Sequence, residues 1–294
     1  MSSNYHRTRR TIRAYFIMGM VYMLFIIGLL LASSNGRVAT YLHKDILKPA
    51  QVACYIQRLN QALLLRPNKI QLPILMYHYV EYVKDMGDKK RQLMNIEPHI
   101  FEQHLKDLTS AGYQTLLVRD MPRILTRKAD VCIKAVVISF DDGYADFYTD
   151  VFPLLKKYHV KATVYIIADY IGKPGFLTEA QIKEMLADGS VEIGSHTLDH
   201  YYLKRAVLAE QKRQIVESKK LLEEKFKVRI STFAYPFGAF DDHTVNYVKE
   251  ASYSAAVTVE PGAHISAEDI YTLPRIRPEK LKGNIAEALA GYTK

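Results

Sequence analysis

Two short strings hold the residues of the 294-residue chain that are best suited to chemistry. Phe140-Asp141-Asp142-Gly143 supplies adjacent carboxylates, and His196-Thr197-Leu198-Asp199-His200 supplies two imidazoles four residues apart. Side chains that follow one another at a strand end point in different directions, so one carboxylate can bind a metal ion while its neighbour faces a water. One carboxylate with two imidazoles makes the open three-ligand site of catalytic zinc. The strings therefore predict a hydrolytic metal centre with a general base beside it.

Each string has a purely structural alternative when it is taken alone. Asp-Asp-Gly after a strand is often only a turn, and a histidine pair at i, i+4 is commonly on a helix surface. Both strings follow apolar runs, however, and so does Tyr235-Pro236-Phe237-Gly238. The carboxyl ends of parallel strands in a barrel meet on one face, where active sites lie. Their joint placement at strand ends favours the metal centre over both alternatives.

Apolar runs alternate with helical stretches from about residue 71 onwards. Thr178-Glu179-Ala180-Gln181 is a capping box for a helix that ends at Gly189, and Gly112 stops an earlier helix. Alternating strands and helices predict an α/β fold with a parallel sheet, open or closed into a barrel. The candidate strands are Pro73–Tyr77, Tyr113–Val118, Ala135–Phe140, Ala162–Ile167, Val191–Ser195, Thr232–Tyr235, Ser254–Val259 and Tyr271–Arg275.

The residues that precede this pattern include a candidate membrane segment. Ala14–Ala32 has no charged side chain and matches the roughly 20 residues that a bilayer requires. Four arginines precede it and only Arg37 follows closely, so the positive-inside rule predicts a cytoplasmic N-terminus and an exported remainder. The alternatives are a cleaved signal peptide, with a site around Ala32-Ser33-Ser34, and a buried helix of a soluble protein. The predicted division is 1–13 cytoplasmic, 14–32 transmembrane, 33–70 spacer and 71–294 catalytic domain.

The charge distribution argues against nucleic acid as a partner. The formal net charge is +9, but residues 1–70 hold ten basic residues and one acidic residue, which leaves 30 of each sign for the rest. A nucleic-acid-binding protein carries its positive charge on the folded domain. We therefore predict no nucleic-acid partner, and the sequence identifies no protein partner.

A series of motifs between about residues 72 and 277 resembles the metal-dependent polysaccharide deacetylases, carbohydrate esterase family 4. Within that family it is most similar to the group that N-deacetylates poly-N-acetylglucosamine exopolysaccharide. The resemblance implies a distorted (β/α)7-8 barrel of the NodB-homology type. It rests on Leu75-Met76-Tyr77-His78, Ile138-Ser139-Phe140-Asp141-Asp142-Gly143-Tyr144, Lys161-Ala162-Thr163, Glu192-Ile193-Gly194-Ser195-His196-Thr197 with His200, Phe233-Ala234-Tyr235-Pro236-Phe237-Gly238 and Leu273-Pro274-Arg275.

The resemblance also implies a role for each motif residue. Asp141 is implied as the general base, and the backbone N–H of Phe237 as a donor to the tetrahedral oxyanion. Tyr235, Pro236 and Phe237 are implied as the substrate-binding residues, the first two lining the sugar pocket. The implied metal ligands are Asp142, His196 and His200, which suit zinc and also tolerate cobalt, nickel or manganese.

Two positions depart from the pattern of many family members. Ala234 stands where those members have an arginine that restrains the base, and Leu273-Pro274-Arg275 stands where they have a Leu-x-His with the general acid. The exopolysaccharide group resembles a permuted arrangement in which the early Tyr-His supplies the acid. We therefore predict that His78 protonates the leaving amine and that Arg275 restrains Asp141, since first and last strands are neighbours in a closed barrel.

These observations predict an enzyme that removes N-acetyl groups from an extracellular polysaccharide. Freed amines make a neutral glucan cationic, so that it adheres to anionic surfaces, as in a biofilm. Peptidoglycan of the cell wall is the alternative substrate. A glycan-binding module without catalysis and an amidase for a small molecule are two further candidates. The polar stretch 81–97 is a candidate loop over the site.

Overall fold

Eight strands run parallel around a nearly closed barrel in the computed structural model, which describes residues 69–85, 87–126 and 134–292. The order around the barrel is β10-β8-β7-β6-β5-β4-β2, with β3 also on β4, and a separate ribbon joins β1 and β9. The strands are β1 (Lys69–Gln71), β2 (Ile74–Tyr77), β3 (Gln114–Leu116), β4 (Ala135–Phe140), β5 (Ala162–Ile166), β6 (Val191–Ser195), β7 (Thr232–Ala234), β8 (Ala255–Pro261), β9 (His264–Ser266) and β10 (Leu273–Arg275).

The first and last strands of the barrel meet. The N–H of Met76 donates to the carbonyl of Ile276 at 2.8 Å, and the N–H of Ile276 donates to the carbonyl of Ile74 at 2.8 Å. These bonds link β2 to the residue after β10 and bring both ends of the sheet together. Closure of this kind places the carboxyl ends of all the strands around one opening.

All eight predicted strands are present, and their ends differ from the predicted ones by at most two residues. Alternation along each strand explains why the runs are apolar throughout. Along β4, Val136 and Ile138 pack with the helices outside, while Ala135 and Val137 pack in the barrel interior. Both faces are covered, so both sets of side chains are apolar. The predicted α/β parallel architecture is confirmed.

Helices cover the outside of the barrel. The predicted capping box is present in α5, where Thr178 accepts from the N–H of Gln181, and the helix ends at Gly189 with a φ of 83°. The longest described helix, α6, packs on β6 with α5. The helices are α1 (Lys89–Met94), α2 (Pro98–Ser110), α3 (Met121–Leu125), α4 (Phe152–Tyr158), α5 (Glu179–Asp188), α6 (Leu208–Phe226), α7 (Asp242–Glu250) and α8 (Ile285–Gly291).

The amino-terminal end of the barrel is closed by side chains from outside the strands. Val118 and Met121 pack into the interior from the turn before α3 and from α3 itself, and Leu72 and Ile265 pack there from the β1–β9 ribbon. The turn is held because the N–H of Arg119 donates to Glu192 at 3.1 Å. The chain therefore enters the barrel, through β1, at the end that lies opposite the strand carboxyl ends.

No helix within the described residues is long and apolar enough to cross a membrane. The predicted cytoplasmic N-terminus 1–13, the predicted transmembrane helix 14–32 and nearly all of the predicted spacer 33–70 lie outside those residues.

Candidate metal centre and active site

The predicted site residues come together at the carboxyl ends of four barrel strands. His78 directly follows β2, Asp141 and Asp142 follow β4, His196 follows β6, and Arg275 is the last residue of β10. Closure of the barrel between β2 and β10 joins the first and last of these positions. Because each of these residues ends or follows a strand of the barrel, its backbone is fixed by a sheet that is buried on both faces.

Asp142, His196 and His200 offer three ligand atoms that all lie within 4.8 Å of one another. Oδ1 of Asp142 is 3.3 Å from Nε2 of His196 and 3.2 Å from Nε2 of His200. That oxygen is buried and has no hydrogen-bond partner among the described residues. A buried carboxylate oxygen surrounded by imidazole nitrogens, without a hydrogen bond of its own, fits a ligand of a divalent cation.

The hydrogen bonding of His196 selects the nitrogen that faces this group. Nδ1 of His196 donates to the carbonyl of Ala234 at 2.8 Å, which leaves Nε2 free to act as a ligand. Burial lowers the pKa of His196, but the Asp142 and Asp141 carboxylates raise it by more than burial lowers it, so the pKa lies above its usual value. Burial raises the pKa of Asp142, but the imidazoles of His196 and His200 lower it by more, so its pKa lies well below the usual range.

Four of the eight non-glycine residues that have positive φ angles in the described part of the chain lie around the site. They are Asp142, Thr197, His200 and Phe237, with φ angles of 71°, 66°, 65° and 59°. Such conformations are costly for residues other than glycine and persist where the surrounding structure enforces them, often at functional sites. The turn at Asp142 aims its carboxylate at the two histidines and not along the path of β4.

Asp141 forms a buried, bidentate ion pair with Arg275. Nη1 of Arg275 donates to Oδ1 of Asp141, and Nη2 donates to Oδ2, each at 2.7 Å. The guanidinium is itself fixed, because its Nε donates to the carbonyl of Thr258 at 2.7 Å and Nη1 donates to Ser139 at 3.2 Å. Burial raises the pKa of Asp141, but Arg275 outweighs burial and the net pKa is lowered. The carboxylate is thus ionised and held in one orientation.

His78 lies on the other side of Asp141. Its Nε2 is 3.9 Å from Oδ2 of Asp141, and its side chain is 14 % exposed. Burial lowers the pKa of His78, against the Asp141 and Asp142 carboxylates, which raise it. The imidazole therefore lies beside both carboxylates and can still be reached from the opening of the barrel.

The structure separates the three predicted substrate-binding residues. Tyr235 is fully buried, and its ring packs 5.2 Å from that of Phe233 and 5.0 Å from that of Phe240. Because strand side chains alternate, Tyr235 shares the helix-facing side of β7 with Phe233. Pro236 is also buried. Both side chains are therefore packed within the fold, and their predicted place in the sugar pocket stays a prediction.

Phe237 is the exposed member of that motif. Its side chain is 54 % exposed, and its ring lies 4.4 Å from the ring of His200. The hydrogen bonds of the turn run from Gly238 to the Tyr235 carbonyl and from Ala239 to the Pro236 carbonyl. The N–H of Phe237 is not a donor in these two hydrogen bonds of the turn.

Aromatic residues outside the predicted set flank the site. Tyr202 is 55 % exposed, with its ring 6.0 Å from that of Phe237. On another side, the rings of Tyr79 and Tyr144 are stacked at 3.9 Å. Burial, with Asp142 nearby, raises the pKa of Tyr144. Tyr79, Tyr144 and Tyr202 lie within two residues of the motif residues His78, Gly143 and His200. This closeness in the sequence could have identified them as residues of the site.

The polar stretch 81–97 contains helix α1 and contacts this aromatic flank. The guanidinium of Arg91 lies 4.4 Å from the ring centre of Tyr79, and Nη1 of Arg91 pairs with Glu81 at 2.7 Å. The carboxyl side of the stretch is joined to the segment after β2 because the N–H of Ile96 donates to the carbonyl of Tyr79 at 3.0 Å. The stretch therefore packs beside the site through Tyr79.

Comparison with known proteins places these features in a family. Residues 128–256 match the Polysaccharide deacetylase family. YxkH of Bacillus subtilis (strain 168), which is named as a putative polysaccharide deacetylase, is 36% identical over 233 residues, covering 78% of this chain and 80% of that protein. The poly-beta-1,6-N-acetyl-D-glucosamine N-deacetylase of Staphylococcus aureus (strain MRSA252) is 26% identical over 230 residues, with 74% and 78% coverage.

The chain is also similar to a solved structure of a deacetylase. The Streptococcus pyogenes deacetylase PplD in complex with acetate superimposes with a TM-score of 0.69 at 29% identity, covering 75% of this chain and 99% of that chain. The barrel, the clustered Asp-His-His side chains that could hold a metal ion and the relatives agree with the resemblance of the motifs. The chain is therefore an enzyme that belongs to the polysaccharide deacetylase family.

Proposed function

We propose that the protein is a metal-dependent hydrolase that removes N-acetyl groups from N-acetylglucosamine units of an extracellular polysaccharide. The observation that carries the proposal is the pair of adjacent carboxylates with different partners. Oδ1 of Asp142 faces two imidazole nitrogens, while both oxygens of Asp141 accept from Arg275 at 2.7 Å. One carboxylate is thus arranged as a metal ligand and the other as a base.

Asp142, His196 and His200 would hold the cation, and zinc is the metal we favour for this donor set. When bound, a divalent cation supplies Lewis acidity to the amide carbonyl and lowers the pKa of water. The contribution of the chain is the geometry of the donors. The positive φ angles at Asp142 and His200 and the bond from His196 to the Ala234 carbonyl orient them before any substrate arrives.

Asp141 is the proposed general base. It is ionised, because the buried Arg275 guanidinium keeps its pKa below the usual value, and it can therefore accept a proton from the attacking water. Arg275 is a positioning residue in this scheme. Its two parallel hydrogen bonds fix the plane of the carboxylate.

His78 is the proposed general acid. Its Nε2 lies 3.9 Å from Asp141, and its side chain is partly exposed. Water adds to the acetyl carbon, the C–N bond breaks, the nitrogen takes a proton from His78, and acetate leaves. The N–H of Phe237 is the proposed donor to the oxyanion that precedes bond cleavage.

The proposed substrate is a polymer of N-acetylglucosamine, and poly-β-1,6-N-acetylglucosamine is the polymer we favour. The exposed rings of Phe237 and Tyr202 provide apolar faces next to the ligand His200, which suits pyranose rings that present one apolar face. The Staphylococcus aureus relative is named for that polymer. Peptidoglycan is the alternative polymer.

We further propose that the enzyme is held on the outer side of the cell membrane by a single N-terminal helix. The proposal is supported by the uncharged segment 14–32 and by Arg7, Arg9, Arg10 and Arg13 before it. Secretion after cleavage is the alternative. Protease added to intact cells should digest the catalytic domain. In cells without protease, the protein should stay in the membrane fraction. Its release into the medium would support cleavage.

Acetate release tests the enzymatic proposal directly. The full chain is incubated with poly-β-1,6-N-acetylglucosamine or with peptidoglycan, with and without a chelator, and bound metal is measured by mass spectrometry. We expect chelator-sensitive acetate release, mainly from the first polymer. Asp142→Asn should lose metal and activity, while Asp242→Asn, at an exposed carboxylate on α7, should keep both. Greater acetate release from peptidoglycan would make peptidoglycan the substrate. Glycan binding without acetate release would show a binding protein without catalysis.

A further inference from the structure

A second group of charged side chains lies at the end of the barrel opposite the metal centre. Arg119, Arg123 and Arg229 line one cavity of about 420 Å³ together with Ser231 and Ser254. The two serines directly precede β7 and β8, at the amino-terminal ends of these strands. The cavity is therefore separate from the candidate active site, which lies at the carboxyl ends.

The three arginines line the cavity from two segments of the fold. Arg119 is in the turn before α3, Arg123 is in α3, and Arg229 lies between α6 and β7. The turn is anchored from inside the barrel by the bond from the Arg119 N–H to Glu192. Each guanidinium is on an exposed residue and can be reached by a ligand.

None of these three guanidiniums forms an ion pair with a carboxylate in the part of the chain that the structure describes. Arg91, Arg213, Arg275 and Arg277, by contrast, each pair with an acidic residue there. One acidic residue, Asp120, also lines the cavity, and its Oδ2 already accepts from the N–H of Leu117 at 3.1 Å. The lining therefore has an excess of positive charge that an anion would neutralise.

The number and type of donors indicate the class of anion. Guanidinium is a planar fork that binds phosphate with two parallel hydrogen bonds, and arginine is favoured where phosphate is recognised. Three such forks around one cavity match the several acceptor oxygens of a phosphate ester better than a single carboxylate. An extended nucleic acid is not favoured, because residues 71–294 hold equal numbers of basic and acidic side chains.

The proposed function favours a source for the phosphate, and the source rests on it. That function holds the enzyme at the outer side of a membrane, where anionic glycerophospholipids carry phosphate esters. The cavity lies at the end of the barrel opposite the candidate metal centre, so a headgroup bound there would leave the active site open to the polymer.

We propose that Arg119, Arg123 and Arg229 form a binding site for a phosphate group, with an anionic glycerophospholipid headgroup as its favoured source. Free inorganic phosphate has the same chemistry and is the alternative source. The site does not depend on the deacetylase reaction, and occupancy would orient the barrel with its active site away from the membrane.

Calorimetric titration of the full chain in a neutral detergent tests the site with two probes, glycerophosphoglycerol and inorganic phosphate. We expect saturable binding with one site per chain. Arg119→Gln, Arg123→Gln and Arg229→Gln should each weaken it about tenfold, the equivalent of one hydrogen bond to a charged group. The triple variant should show no binding. Tighter binding of glycerophosphoglycerol assigns the headgroup, and tighter binding of inorganic phosphate assigns the free ion.

A charge-matched control separates a site from general attraction. Lys183→Gln, Lys204→Gln and Lys220→Gln together remove the same charge from exposed positions outside the cavity and should leave binding unchanged. Acetate release by the triple arginine variant shows that this variant is folded. If the triple variant does not fold, the binding of the three single variants tests the proposal. The proposal is overturned if the wild-type chain binds neither probe up to about 10 mM, a very weak affinity, or if the control loses binding equally.

Discussion

Asp141 and Asp142 are adjacent in the sequence and meet opposite partners in the fold. Asp141 pairs with a buried arginine 134 residues away, and Asp142 turns towards two histidines. The turn depends on the positive φ of 71° at Asp142, which is followed by Gly143 at 72°. Two identical side chains thereby acquire different environments, and this difference is the basis of the roles that we propose for them.

Replacing Arg275 by Gln should destabilise the protein by about 3–5 kcal/mol, because it leaves the Asp141 carboxylate buried without its partner. Turnover should also fall strongly, since the carboxylate loses its fixed orientation. Urea unfolding and acetate release measure the two effects. Arg277→Gln is the matched control: that arginine is 31 % exposed and pairs with Glu279 at 3.6 Å, so the loss should stay within about 1 kcal/mol. Equal effects of both variants would contradict the positioning role.

Replacing His78 by Ala should lower the turnover number about 10²- to 10⁴-fold, the usual contribution of a general acid, while bound metal stays at the wild-type level. The reason is that His78 contacts Asp141 and is not one of the three clustered ligands. Acetate release and metal content are measured on the same preparation. His99→Ala, at an exposed histidine on α2, serves as the comparison. Wild-type turnover in His78→Ala would remove the residue from the mechanism.

At the scale of elements, β6 connects the candidate metal ligands to residues that pack around Arg275. It ends just before His196, and within it Gly194 faces the ring of Tyr165 in the barrel interior. Tyr165 in turn lies 5.9 Å from the Arg275 guanidinium. The strand can approach Tyr165 only because residue 194 has no side chain.

Gly194→Ala should destabilise the protein by about 1–3 kcal/mol through overpacking. The added Cβ would lie 2.5 Å from the Tyr165 ring and 2.7 Å from Oγ1 of Thr232, closer than real contacts allow. Urea unfolding measures the loss. Gly291→Ala is the control, because position 291 is helical with nothing within 4 Å, and alanine there should be neutral or slightly stabilising. A neutral Gly194→Ala would show that the interior can expand.

At the scale of the whole molecule, stability should depend on pH through groups that folding buries. His104 on α2 is 8 % exposed, and its Nδ1 shares a hydrogen bond of 3.0 Å with the Tyr77 hydroxyl. Burial lowers the pKa of His104 to about 4, against the Asp107 carboxylate, which raises it. The folded protein therefore resists the proton that the unfolded chain accepts.

The pH dependence follows from that difference. Above about pH 6.5 neither state protonates His104, and below it the unfolded state binds the proton first. The free energy of unfolding should thus fall between about pH 6.5 and about pH 4, with up to about 3 kcal/mol from this residue. His104→Gln keeps an acceptor for Tyr77 and should flatten the fall in urea titrations. His264→Gln, at an exposed position, should not. A wild-type slope in His104→Gln would contradict the assignment.

From the sequence alone we predicted the family, the order of the eight barrel strands and the residues of the candidate metal cluster. Local physics explains this: a buried parallel strand must be apolar on both faces, and ligands at strand ends need only short spacings, as in His196 and His200. The caps of α5 were readable for the same reason, since they depend on residues 178–189 alone. The roles of the site residues remain predictions.

Contacts between distant segments could not be predicted from local patterns in the sequence and are seen only in the folded structure. The bidentate contact of Arg275 with Asp141 requires barrel closure, which no local pattern encodes. The burial of Tyr235 depends on the helices that cover its side of β7, so a motif alone could not distinguish it from the exposed Phe237. The arginine cavity is formed by three separate segments that meet only after folding. Packing across the chain, and not spacing along it, sets these contacts.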